Sequence, residues 1–205
     1  MDETYHSRNG AISESLHVFI KHGLQRVSFA ELDILEVGFG TGLNVLLTCI
    51  SCLDGKQKIR YTSIEPYPLP FSLIDKLEYP KHLEHEQGLD YQRRLHQANW
   101  NESVQIHPLF QLTKLDKKLE ELQLENKSFD LIYFDAFGPA KQAEMWTIDQ
   151  FEKLYDSLKE GGILTTYAAA GQLKRNLKSI GFHLEHPPGA NGKREMTVAI
   201  KPKLK

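Results

Sequence analysis

The chain has 205 residues, 40% of them hydrophobic and 25% charged, with a formal net charge of −2 at pH 7. This size and balance are ordinary for one soluble globular domain with a sizeable core. No apolar run approaches the roughly 20 residues of a membrane span. The N-terminus, with Asp2, Glu3, His6 and Arg8, lacks the apolar stretch of a signal peptide, so the expected compartment is the cytosol.

Residues 1–30 carry an amphipathic segment, Ile12, Leu16, Phe19 and Ile20, at helical spacing. They are expected to form an N-terminal extension packed on a domain of residues 31–205. Short apolar runs then alternate with helical patterns. The first predicted strand, Leu32–Val37, leads into Gly38-Phe39-Gly40-Thr41-Gly42 and a predicted helix over Leu43–Leu53. Alternate glycines between a strand and a helix leave the backbone bare to a ligand, and a helix N-terminus offers free N–H groups to a carboxylate. The spacing is G-x-G-x-G, not the G-x-G-x-x-G of dinucleotide sites. Cys49 and Cys52 stand C-x-x-C inside that helix among Leu46, Leu47, Ile50 and Leu53, which predicts buried thiols rather than a redox pair. The nine histidines have no ligand spacing, so no metal site is expected.

The second predicted strand, Ile59–Ile64, ends at Glu65-Pro66. An acidic residue there can accept both hydroxyls of an adenosine ribose; otherwise it is a surface carboxylate. Residues 66–100 are polar and proline-bearing and are expected to hold one or two helices. A third strand is predicted over Val104–His107, followed by Leu109-Phe110 rather than an acid, and a helix over Thr113–Gln123. The fourth strand, Phe129–Phe134, delivers Asp135 to the sheet edge ahead of Phe137-Gly138-Pro139. A carboxylate in such a loop can hold an amine's N–H groups and take its proton, and an aromatic face can stabilise a cation; a turn cap is the plainer use of Asp135.

Helices follow over Thr147–Leu158 and Gln172–Ile180, with strands over Gly162–Tyr167, Phe182–Glu185 and Glu195–Ile200. The last two are joined by Pro187-Pro188-Gly189-Ala190-Asn191-Gly192, a link that permits only an antiparallel return. The expected fold is α/β, a mostly parallel seven-stranded sheet with an antiparallel last strand and helices on both faces. Tyr155 and Lys159 match a Y-x-x-x-K dehydrogenase dyad, but the glycine spacing opposes that reading. Trp100 and Trp146 are expected to pack in the core or rim. Basic residues thicken late in the chain, at Lys174, Arg175, Lys178, Lys193, Arg194, Lys201, Lys203 and Lys205. They fit either a solvated mixed-charge face or a patch for RNA phosphates.

Glu36 ahead of the glycines, and the antiparallel last strand, resemble class I S-adenosylmethionine methyltransferases of Rossmann-like fold. Four segments together resemble the methyltransferase half of the MnmC family, bifunctional tRNA 5-methylaminomethyl-2-thiouridine biosynthesis proteins. They are Tyr5–Gly10 with Glu14, Val18 and Phe19; Glu36–Asn44; Asp135–Thr147 (DAFGPAKQAEMWT); and Gly192–Met196. Gln142-Ala143 departs from the asparagine-proline expected after the lysine. The resemblance implies S-adenosyl-L-methionine as cofactor and the exocyclic amine of 5-aminomethyl(-2-thio)uridine at the tRNA wobble position as methyl acceptor. It implies cofactor contacts at Glu36, Gly38, Phe39, Gly40, Thr41, Asn44, Glu65, Pro66 and Asp135. Asp135 would be the catalytic group, with substrate contacts at Phe137, Pro139, Lys141, Tyr167, Lys193 and Arg194. A standalone monomer is expected, with tRNA as partner, no membrane, and a separate oxidoreductase or other precursor-making enzyme upstream. A small-molecule or protein amine as acceptor, and a non-catalytic cofactor-binding scaffold, are the alternatives.

Overall fold

The structure is a computed structural model that describes residues 10–55, 57–74, 76–77, 79–83 and 85–203. The Tyr5–Asn9 part of the first family-like segment lies outside the described residues. Eight strands form one sheet: β1 (Glu31–Val37), β2 (Lys58–Ile64), β3 (Ser103–His107), β4 (Phe110–Leu115), β5 (Phe129–Phe134), β6 (Leu158–Thr166), β7 (His183–Glu185) and β8 (Thr197–Ile200). Their order is β3-β4-β2-β1-β5-β6-β8-β7. The β4, β2, β1, β5 and β6 strands run parallel, and β8 pairs antiparallel with both β6 and β7. The antiparallel return of the last strand is therefore present.

The central strands are near-continuously buried, as in Phe129-Asp130-Leu131-Ile132-Tyr133-Phe134 of β5, because helices cover both faces. One face packs α1 (residues 10–21), α2 (Leu43–Gly55) and α3 (Gly88–Gln97) against Ile34, Tyr61, Leu112 and Tyr133. The other packs α4 (Ile148–Ser157) and α5 (Gly171–Ile180) against Leu35, Val37, Ile132 and Phe134. The second half of α1, Leu16–Lys21, is wound as a π-helix, and it buries Val18, Phe19 and Ile20 in the same core as β1. Each such side chain contributes about 1.5–3 kcal/mol by leaving water.

Two expectations fail in one place. The predicted helix Thr113–Gln123 is instead strand β4 followed by a single 3₁₀ turn, Leu119–Glu121. Phe110-Gln111-Leu112-Thr113-Lys114-Leu115 alternates buried and half-buried side chains, a period of two, and it pairs with β2 from Ile59↔Phe110 to Ile64↔Leu115. The helix-favouring Lys and Leu content of the segment loses to that pairing. Consequently the sheet has eight strands, not seven, and β3 is an added edge strand antiparallel to β4. An acid, Asp116, follows β4 in the sequence; it accepts a hydrogen bond from Asn101 Nδ2 at 2.6 Å and is not among the residues lining the cavity described below.

Cys49 and Cys52 are free and fully buried, and burial pushes their thiols up to about 12 and about 11. Tyr155 packs edge-on against Phe182 while Lys159 pairs with Asp33 and Asp130, so the Y-x-x-x-K match forms no dyad. Trp146 is buried and Trp100 packs against Phe39. The late basic residues do not make one patch: Lys174 pairs with Glu195, and Lys201 is buried, donating to the Tyr155 and Leu158 carbonyls. No helix among the described residues is long and apolar enough to cross a membrane, and no group of three or more His, Cys, Asp or Glu there could hold a metal ion.

Candidate active site

The carboxyl ends of β1, β2 and β5 open into a cavity of about 790 Å³, with α1 along one side. That volume is in the range of small-molecule sites, and its position at the strand ends is where doubly wound sheets bind ligands. The glycine loop forms its floor. Gly38 adopts φ +98°, and a Cβ there would stand 2.7 Å from the Asp135 carbonyl oxygen, so only glycine lets the β1 and β5 loops meet. Gly40, at φ +48°, has no atom within 4 Å of where its Cβ would be; its bare backbone faces the cavity.

Glu65 stands on the neighbouring strand end with both carboxylate oxygens engaged. Oε2 accepts from the Gly40 N–H at 3.1 Å and Oε1 from the Tyr67 N–H at 2.9 Å, which ties the two loops together. Behind the loop, Phe39 is buried edge-on to His96 and Trp100, and His96 Nε2 lies 3.1 Å from the Thr41 carbonyl. Burial lowers His96 to about 4, so it is a neutral imidazole at physiological pH and can donate to that carbonyl. Lys114 lies 4.7 Å from the Trp100 ring centre and donates to the His96 carbonyl, completing a buried support for the loop.

Asp135 sits across the cavity from this support. Its backbone N–H donates to the Val37 carbonyl, and its Oδ2 accepts from Asn44 Nδ2 at 2.8 Å. The Asn44 Oδ1 in turn accepts from Ser15 of α1. Desolvation pushes Asp135 up to about 7; Asn44 pulls the other way, Glu14 adds to the rise and Lys193 opposes it. The rim above carries Tyr167, whose hydroxyl donates to the Ala136 carbonyl at 2.8 Å. Lys193 lies 5.5 Å from the Tyr167 ring centre and is paired with Glu14. Phe137 is 69% exposed, with Lys141 beside its ring, and reads as an accessible stacking face.

Of the residues predicted for cofactor contact, Gly38, Phe39, Gly40, Thr41, Asn44, Glu65, Pro66 and Asp135 border this cavity. Glu36 does not: it is fully buried beneath the loop, donated to by Ser63 Oγ at 2.6 Å. Its side chain points to the α1–α2 face because strand alternation puts it with Ile34, away from the edge. Phe137, Lys141, Tyr167 and Lys193 border the cavity, whereas Pro139 and Arg194 are exposed outside it, each on a loop that turns the side chain to solvent. Residues given no site role also line it: Ser15 and Phe19 of α1, Tyr67, Leu69 and Tyr79, and Lys118, Leu119 and Glu120 after β4. Glu14 stood in a family-like segment without a role. Lys118–Glu120 were hidden inside the misread helix.

The residues present suit S-adenosyl-L-methionine. A bare glycine backbone and the start of α2 suit its methionine end, Glu65 stands beside the loop at the place for a ribose, and Asp135 closes the far wall. Residues 83–202 match a family described as S-adenosyl-L-methionine-dependent methyltransferase. Among curated proteins, the tRNA 5-methylaminomethyl-2-thiouridine biosynthesis bifunctional protein MnmC of Cupriavidus metallidurans is 33% identical over 97% of this chain, and that of Pseudomonas entomophila 32% over 97%. The chain spans 31% and 32% of the lengths of those two relatives. Among solved structures, MNMC2 from Aquifex aeolicus superposes with a TM-score of 0.67 at 24% identity, covering 95% of this chain and 63% of that one. A putative S-adenosyl-L-methionine-dependent methyltransferase from Methanococcus maripaludis superposes with a TM-score of 0.54 at 10% identity, covering 100% of this chain and 92% of that one. The matched family spans more than half the chain, so the chain belongs to the S-adenosyl-L-methionine-dependent methyltransferases, and it is similar along nearly its whole length to part of MnmC.

Proposed function

We propose that this methyltransferase acts on the primary amine of 5-aminomethyl(-2-thio)uridine at the wobble position of tRNA. The observation that carries the reading is Asp135: a half-buried carboxyl at the cavity wall, held by Asn44, with a pKa raised to about 7. An amine is a methyl acceptor only when neutral, and a carboxyl poised near neutral pH can accept its N–H and then its proton. Bound S-adenosyl-L-methionine supplies a methyl group already activated on a sulfonium. The chain's part is to position and to exclude water. Gly38, Gly40 and Glu65 hold the donor side, Asp135 orients the amine, and Tyr167 and Phe137 offer faces to a splayed-out base. Lys118, Lys141 and Lys193 at the rim suit neighbouring phosphates. The names of the curated relatives support tRNA as acceptor. The work would take place in the cytoplasm, by a monomer, after a separate enzyme has made the aminomethyl base.

Glu14, Glu120 and Glu144 also border the cavity and balance the three lysines, which favours a second reading in which a small-molecule or protein amine is methylated. The test is transfer of labelled methyl from S-adenosyl-L-methionine to tRNA bearing unmethylated 5-aminomethyluridine. Label recovered as the methylaminomethyl nucleoside, and absent with Asp135→Ala, supports the tRNA reading. Cofactor binding without label on tRNA sinks it in favour of another amine, and cofactor binding with no transfer to any amine leaves a non-catalytic scaffold.

A further inference from the structure

Behind Asp135 lies a polar pocket that the transfer chemistry has not used. Strand register sets Glu36 of β1 between Ser63 of β2 and Tyr133 of β5, all facing α1 and α2. Glu36, Ser63, Tyr61 and Tyr133 are all at 0–1% exposure. The pocket walls are aromatic: Phe19 packs 5.1 Å from the Tyr133 ring, and Tyr133 lies 6.2 Å from the Tyr61 ring. The groups acting on the Glu36 carboxyl are Ser63, Asn44, Tyr61 and Asp135, with Tyr133 alongside; none is cationic. Ser63 donates to Oε2, while Oε1 and the Tyr61 hydroxyl, buried within reach of each other, make no hydrogen bond of ordinary geometry.

A carboxylate in that pocket would be costly. It would be sealed from water, lack a counter-charge, and face a second carboxyl across the single amide of Asn44. A carboxylic acid fits instead: Oε2 accepts from Ser63, and the proton on Oε1 gives the pocket a donor beside the Asn44 side chain. Asn44 has its Nδ2 committed to Asp135 and its Oδ1 to Ser15, so its orientation decides where Asp135 points. We propose that Glu36 is a positioning residue that works as an uncharged carboxylic acid, fixing Asn44 and through it Asp135, and that it makes no contact with the cofactor. The inference rests on the role given to Asp135 above. It goes beyond that role in assigning the buried acid a protonation state and a task. Burial, with Asp135 nearby, raises Glu36 to about 8. The acid form therefore prevails at neutral pH and is lost in mild alkali.

The test uses the whole chain with Glu36→Gln, a neutral isostere, and Glu36→Leu, which has the volume without the polar groups. In an infrared difference spectrum between wild type and Glu36→Gln at pH 7, the carbonyl stretch of a protonated carboxylic acid should be present in wild type and lost in the variant. Asp135→Asn as a second reference keeps that band separate from Asp135. Calorimetric titration with S-adenosyl-L-methionine should give affinities within about twofold of wild type for Glu36→Gln. In methyl transfer to the tRNA, Glu36→Gln should match wild type near neutrality, and the ratio of wild type to variant should fall threefold or more as pH rises through about 8. Glu36→Leu should lose tenfold or more in turnover with its cofactor affinity kept; if it does not fold, Glu36→Gln carries the test alone. A tenfold weaker cofactor affinity in Glu36→Gln, or no carboxylic acid band, overturns the proposal, as do pH profiles that superimpose. If wild type transfers nothing to tRNA, the reading of the substrate falls, and the infrared and cofactor measurements still decide Glu36.

Discussion

The two strand ends that meet at this cavity are built in opposite ways. At the end of β1, geometry is set by the main chain: Gly38 touches the β5 loop, Gly40 donates to Glu65, and the Phe39 side chain turns back to pack with His96, Trp100 and Lys114. At the end of β5, geometry is set by side chains drawn from α1, α2 and the 193 region, converging on Asp135. A donor that every turnover must seat identically is met by backbone, which no rotamer can misplace. In the proposed reaction the acceptor's proton has to be moved, which suits a titratable side chain such as Asp135. The contrast also predicts different sensitivities: the β1 end to steric change, the β5 end to charge and pH.

The largest effect should come from Asp135. Asp135→Ala is expected to lower turnover about 10²–10⁴-fold, the span of a lost acid–base group, with cofactor affinity held within a few-fold; a comparable loss in both would merge the two ends into one site. Next comes the glycine pair. Gly38→Ala must both strain a positive φ and drive a methyl group to 2.7 Å from the Asp135 carbonyl, whereas Gly40→Ala meets only the strain. Gly38→Ala should cost about 1–3 kcal/mol of stability and disturb both cofactor affinity and turnover, and Gly40→Ala about 1–2 kcal/mol with the loss confined to cofactor affinity. Chemical unfolding and calorimetric titration read both; equal effects would mean that the two loops are not in register.

A smaller effect concerns pH. Asp135 is raised from its ordinary 3.8 to about 7, so the folded state holds its proton more tightly than the unfolded chain. Its stabilising share is complete below pH 3.8 and is lost as pH climbs through 7. Asp135→Asn should thus melt above wild type at pH 8, by about 2–4 °C for each kcal/mol recovered, and level with it at pH 3.5. A variant that melts below wild type at pH 8 would deny the burial cost at the β5 end. The smallest effect is expected at the rim. Lys193→Ala frees Glu14 and removes the charge over Tyr167, and should raise the tRNA KM several-fold with kcat little changed. A fall in kcat alone would make the field of Lys193 on Asp135, rather than contact with tRNA, its main contribution.

Most of the β1 end was legible in the sequence, because a strand, three alternate glycines and an apolar helix leave a local pattern. Asp135 was legible for the same reason, at the end of a six-residue buried run. Glu36 was expected among the cofactor contacts: the motif gives the residue, and strand alternation turns its side chain under the loop, off the cavity lining. The stretch after Leu109 was misread since Thr113–Gln123 carries helix-favouring residues, and only pairing with β2 makes its first part a strand. That error removed Lys118–Glu120 from the site and hid Asp116. The α1 contribution, Ser15 and Phe19, depends on a docking that no local pattern encodes.

The two thiols on α2 offer a built-in clock. Cys49 and Cys52 are shut in the core, well removed from their ordinary acidity, on the helix that starts where the glycine loop ends. A thiol reagent can reach them only when α2 lifts from the sheet, so the labelling rate counts local openings. A donor molecule seated at the start of α2 should slow that count in proportion to its occupancy. The cysteine spacing that resembled a redox motif thus becomes a gauge of how firmly the cofactor half of the site is closed.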